Sequence, residues 1–144
     1  MYEDYTQQAL PDREYRLLLG TALCVFASNN GFIIENILRI DNDRYNWYEL
    51  IDLESGRLKE IIGKTITKKS GNTIIQDLFL EIVNMRNRII HGFRITNEKG
   101  EQSIATKTRI KDGNEQFEIT AEFLQDFISK NNRLSNLLHD FRGF

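Results

Sequence analysis

The stretch NMRNRIIHGFR, Asn84 to Arg94, places three arginines, two asparagines and one of the chain's two histidines in eleven otherwise apolar positions. An imidazole suits proton transfer near neutral pH, and a guanidinium holds anions in a planar fork. At 100° per residue, Arg86 lies about 20° from Ile75 around a helix and so falls within its apolar stripe. Burying an unpaired guanidinium costs several kcal/mol, so Arg86 requires either a carboxylate partner or a stripe that opens onto a cleft. His91 comes five positions later, about 140° round an ideal helix, with Asn87 between them. Gly92 supplies a C-terminal stop that frees His91 from helical phase and lets it border the same pocket as Arg86. The structural alternative is an Arg86 paired with an acid in the core and a His91 that complements the helix dipole.

The elements that must position these residues follow from periodicity. Pro11 and a capping Asp12 precede a first helix that runs to about Ile40, with Leu18, Ala22, Val25, Phe26, Phe32, Ile33, Ile37 and Ile40 on one stripe. Asn29 and Asn36, seven residues apart, share its face and either hydrogen-bond across the bundle or line a cleft. A polar connection, Asp41 to Trp47, leads to a second, shorter helical region over YELIDLESGRLKEIIGKTITKK. After the KKSGN turn comes the most strongly patterned helix, on Ile75, Leu78, Phe79, Ile82, Val83, Ile89 and Ile90. The segments FRIT, SIATKTRI and EQFEIT, separated by NEKG and KDGN, predict a small β-hairpin or meander. Thr120 then caps a last helix carrying Phe123, Phe127, Ile128, Leu134, Leu138 and Phe141. The expected fold class is therefore mainly α, a bundle of four or so helices with a small β unit before the last helix.

The chain has 144 residues, enough for one domain with a real core, and its 28% charged and 40% hydrophobic composition is that of a globular protein. A net charge of -2 argues against binding nucleic acid by overall charge. The only cysteine, Cys24, is expected as a small core residue and excludes a disulfide framework or a cysteine-based zinc site. Glu14, Glu35 and Glu81 form no metal-binding pattern, and no phosphate loop or nucleophile elbow occurs, so neither metal nor cofactor is expected. The polar, acidic N-terminus is unlike a signal peptide, and an unbroken apolar run of membrane length is not expected; these features predict a cytoplasmic chain with no membrane partner.

The segment RNRIIH, Arg86 to His91, resembles the R-x4-H signature of the HEPN superfamily, in which the arginine is commonly followed by a polar residue, here Asn87. A long first helix, a third helix that ends in the motif and a closing helix extend the resemblance over a single HEPN-like domain, residues 1–144. Many HEPN proteins are metal-independent endoribonucleases, toxins or defence effectors whose motifs meet across a homodimer. The resemblance implies that His91 is the general acid or base at the ribose 2'-OH or the departing 5'-oxygen. It implies that Arg86 binds the scissile phosphate, and that Asn87 orients one or the other. RNA would be the substrate, and an antitoxin or activating partner would control the chain. Some HEPN toxins carry a tyrosine two residues after the histidine that a partner modifies; Phe93 stands here, so that control is absent. Other HEPN proteins are non-catalytic, and the rival expectation is an interaction or regulatory protein with a structural Arg86.

Seven basic residues lie between Asn84 and Lys111, against Glu98 and Glu101. Lys107, Arg109 and Lys111 alternate along one predicted strand, either as a phosphate rail or as charges guarding a sheet edge. Arg88 and Arg94 are secondary phosphate-binding candidates. Tyr45, Trp47 and Tyr48 are expected to pack the bundle, with base stacking as the alternative. His139 is expected at the surface without a catalytic role.

Overall fold

A computed structural model describes residues 1–143. After a 3-10 turn at Tyr2–Tyr5, helix α1 spans Arg13–Ile40, and its amino end is closed by Asp12, whose carboxylate accepts from the Tyr15 amide at 2.8 Å. The second helical region is two pieces. Helix α2, Trp47–Asp52, is capped by Asn46, and α3 begins at Ser55–Ile62 and continues through a π-helical turn, Gly63–Thr67, into Lys68–Ser70. The break falls where Leu53 and Glu54 are extended; the Glu54 carbonyl then accepts from the Arg57 and Leu58 amides and starts the new helix. Gly71, in the left-handed region at φ 79°, turns the chain toward α4, Ile74–Ile90.

The β unit is an antiparallel meander in the order β1-β2-β3: Phe93–Thr96, Gln102–Lys107 and Gln116–Ile119. Phe93 faces Ala105 and Ile104 faces Ile119 in its register. Helix α5, Ala121–Arg142, follows directly, with the Thr120 hydroxyl accepting from the Phe123 amide at 3.1 Å. The protein is thus mainly α, with its small sheet placed before the last helix as the sequence predicts.

Helix α1 packs chiefly on α5, and α4 closes the third side of the core. The Phe26 ring stacks on Phe79 of α4 and Phe127 of α5, with centroids 6.5 and 6.3 Å away. Each fully buried aliphatic or aromatic side chain of this kind contributes about 1.5–3 kcal/mol of hydrophobic free energy. Tyr45 packs against the core, whereas Tyr48 is exposed and Trp47 lies beside Gly31. His139 is exposed as expected, its ring against Phe32 at 4.6 Å.

Three expectations are corrected. Cys24 is exposed, because it lies two residues, some 200° round the helix, from the buried Ala22. Helix α1 is long and apolar enough by length and composition to cross a membrane, with mean hydropathy 1.7 over an 18-residue window, of which 28% is buried. Its interruptions, Thr21, Ser28, Asn29 and Asn30, are uncharged and are outweighed by the leucines, isoleucines and phenylalanines around them, and core helices of soluble proteins have the same property. Finally, Asn29 and Asn36 are buried, and neither lines the two cavities described below. The Asn36 amide donates to the Phe32 carbonyl of its own helix at 2.9 Å. Asn29 takes the cross-bundle alternative and donates to the backbone carbonyl and side-chain oxygen of Asn131 at 2.8 and 3.0 Å.

The Asn29 bridge fixes the register of α1 on α5. Asn29→Ala leaves two buried acceptors of Asn131 without this donor, and we expect a loss of about 1–3 kcal/mol in urea denaturation, with an unchanged dependence on denaturant concentration.

Candidate functional site

Arg86 enters the interior from α4 where α1, α3 and α4 converge. Its guanidinium carbon lies 4.9 Å from the centroid of the Phe26 ring. Nη2 donates to the Ser55 hydroxyl at 3.2 Å and to the Asn87 side-chain oxygen at 2.9 Å. Nε is buried with no protein acceptor. No carboxylate pairs with this cation among the described residues, and burial, the sole cause of the shift, pushes its pKa down. Neither expected solution is seen: no carboxylate pairs with Arg86, and it lines neither of the two cavities described below, so a ring, a hydroxyl and a carboxamide are its neighbours instead.

His91 is the last residue of the α4 turn, its amide donating to the Asn87 carbonyl at 3.1 Å, and its imidazole is exposed. Asn87 therefore touches both members of the motif, one through its side chain and the other through its backbone. Gly92 ends the helix, but not by a left-handed turn. A Cβ there would lie 2.4 Å from Ile104 Cγ2 and 3.0 Å from the Ile89 carbonyl, so glycine is required by close approach to β2. That contact lets the chain pass from α4 into β1 within two residues.

The phosphate rail does not form as a strand. Strand β2 ends at Lys107, because the chain turns at Thr108, and Arg109 and Lys111 fall at the start and middle of a 3-10 turn, Ile110–Asp112. Lys107 Nζ donates to the Asn114 side chain and to the Thr108 carbonyl, and Arg88 Nη1 donates to the Lys107 carbonyl. Arg88 and Lys107 thus help to tie the turn to α4. Arg94 is exposed on β1, and neither it nor Lys107 lines the cleft that Arg88, Arg109 and Lys111 border. Arg109 and Lys111 are exposed, and with Asn87 and Arg88 they line a cleft of about 620 Å³ between α4 and the turn.

A larger cavity, about 940 Å³, lies between the amino end of α1 and the sheet. Six carboxylates line it, among them Glu98, Glu101 and Glu118, against one lysine, Lys99. Such a field repels phosphate, so the smaller cleft is the one whose charge suits a polyanion. No group of three or more histidine, cysteine, aspartate or glutamate side chains stands together in metal-binding geometry among the described residues.

The chain matches no family model, no curated protein and no solved structure. Sequence reasoning passed over Ser55 and the proximity of Phe26 to Arg86, since neither contact has a local signal. It also passed over Phe117 and Phe123, which read as ordinary strand and helix hydrophobics yet line the cleft. Asn84 lies inside the quoted motif stretch and had no assigned role.

With no ion pair to break, Arg86→Met should change folding stability by less than about 1 kcal/mol in urea denaturation. Breaking a buried pair would instead cost roughly 3–5 kcal/mol.

Proposed function

We propose that this protein is a metal-independent endoribonuclease of HEPN type, a toxin or defence effector, whose catalytic groups are Arg86 and His91 with Asn87 as their link. The observation that carries the reading is the unpaired Arg86. A guanidinium held by a ring, a hydroxyl and a carboxamide, with no carboxylate to neutralise it, keeps its charge available for an incoming phosphate. In the reaction the ribose 2'-oxygen attacks the adjacent phosphorus and the bond from phosphorus to the 5'-oxygen breaks. An imidazole takes the 2'-OH proton, and a protonated imidazole delivers one to the departing 5'-oxygen. Arg86 stabilises the charge that develops on the non-bridging oxygens. The products are a 2',3'-cyclic phosphate and a 5'-OH, and DNA, which lacks the nucleophile, is spared.

Acid and base are most simply supplied by His91 from each of two copies, which makes the active unit a homodimer. Support for a second copy comes from the exposed apolar side chains Leu17 and Leu23 of α1 and Tyr48 and Ile51 of α2. An antitoxin or activator that covers or completes the site fits the same reading, as does residence in the cytoplasm.

The test is cleavage of an end-labelled cellular RNA pool in EDTA by wild type and His91→Ala, with thermal melts and light scattering on both. We expect cyclic-phosphate ends from a dimeric wild type and at least about a 100-fold loss in an equally stable variant. Equal inactivity of both proteins on all RNAs, tRNA included, would turn the reading to a non-catalytic interaction or regulatory protein.

A further inference from the structure

The cleft beside the motif has a composition that the cleavage chemistry does not use. On the α4 side it presents the carboxamides of Asn84 and Asn87. Two half-buried rings, Phe117 and Phe123, form an apolar surface, with centroids 6.0 Å apart and planes tilted by 47°. The opposite rim carries Arg109 and Lys111, both exposed. One carboxylate, Asp112, shares that rim and is outnumbered by these two and Arg88.

Each feature alone has an ordinary explanation, but together they match the parts of a nucleotide. Flat apolar faces stack on a base, carboxamides read its hydrogen-bonding edge, and cations hold its phosphates. A volume of about 620 Å³ falls in the range of roughly 300–1,000 Å³ typical of small-molecule sites. The rim is a built structure. Thr108 and Glu115 exchange two hydrogen bonds of 2.8 Å, the Asn114 amide donates to the Arg109 carbonyl at 3.0 Å, and Arg88 fastens the Lys107 carbonyl to α4. A paired base has both faces covered by its neighbours and cannot reach such a surface.

We propose that this cleft seats one unpaired nucleotide of single-stranded RNA, its base on Phe117 and Phe123 and its phosphates at Arg109 and Lys111. The assignment rests on the ribonuclease reading for its substrate, and Asn87 is the physical connection: it lines the cleft while its side-chain oxygen accepts from Arg86. The occupant is therefore a neighbour of the scissile nucleotide, and the enzyme selects single strands over duplexes.

The experiment is fluorescence anisotropy of the full chain with a labelled, uncleavable 2'-O-methyl oligonucleotide, presented as a single strand, as a duplex and as a base-free sugar-phosphate chain. We expect the duplex and the base-free chain to bind wild type at least about tenfold more weakly than the single strand. Asn84→Ala and Lys111→Glu, at exposed positions, and Phe117→Leu, scored only if its melting temperature is kept, should each weaken single-strand binding about tenfold. Equal binding of duplex and single strand, or unchanged affinity in the folded variants, would overturn the assignment. A 5'-mononucleotide that competes as tightly as the strand would overturn it too, by making the cleft a free-nucleotide site. The two proposals fail separately. RNA cleavage with cleft-independent binding leaves the nuclease and removes the subsite; cleft-dependent single-strand binding without cleavage leaves the subsite and removes the nuclease.

Discussion

Everything around the motif is organised by one cation that lies in an apolar stripe without an anion to answer it. The ring of Phe26 from α1, the hydroxyl of Ser55 from α3 and the carboxamide of Asn87 from α4 are its neighbours. A cation over a partly desolvated ring gains about 0.5–2 kcal/mol, and hydrogen bonds from a charged donor about 1.5–3 kcal/mol. These are of the same order as the several kcal/mol lost when a guanidinium leaves water. The balance is close enough that Arg86 can stay charged at this position, yet none of its neighbours is ionic. A carboxylate would have stabilised the fold more firmly and would also have competed with any incoming phosphate.

The second constraint is steric and sits six residues further on, at Gly92. Because residue 92 has no Cβ, Ile104 of β2 packs where one would be, and α4 runs into β1 without a connecting loop. This junction exposes the His91 imidazole at the helix end and swings the meander back alongside α4. The Arg88 link to the Lys107 carbonyl then holds the far end of β2 against the same helix. The motif and the basic turn are thus two products of one packing arrangement, since the sheet that creates the cleft is anchored by the residue next to the histidine.

Much of this was legible in the sequence where the signal is local. Asp12 and Thr120 cap the helices expected of them, and the stripe of α4 emerges with Ile75, Leu78, Phe79, Ile82, Val83 and Ile89 buried. Ile90, in phase with the same stripe but the last residue of α4, is 49% exposed. What was not legible depends on partners distant in the chain. Nothing near Ser55 announces that it will meet Arg86, 31 residues away. Asn29 had two equally good uses until α5 placed Asn131 opposite. Alternation at Lys107, Arg109 and Lys111 suggested a strand, but KDGN turns earlier than the pattern implied, since Gly113 and Asn114 take positive φ and draw Arg109 into the turn.

The charge distribution explains how a chain of net charge -2 can present a surface for a polyanion. Carboxylates are gathered in the larger cavity at the α1 end of the sheet, and Arg88, Arg109 and Lys111 at the α4 end. The two cavities meet at Phe117, and with a Debye length of about 8 Å at physiological ionic strength the field in each is set mainly by the charges that line it. A polyanion would meet a local positive field at the cleft and repulsion at the acidic cavity. Such separation favours approach along one face over coating of the surface. It places the phosphate-attracting groups beside Asn87, and through Asn87 beside the one guanidinium whose charge the fold leaves unanswered.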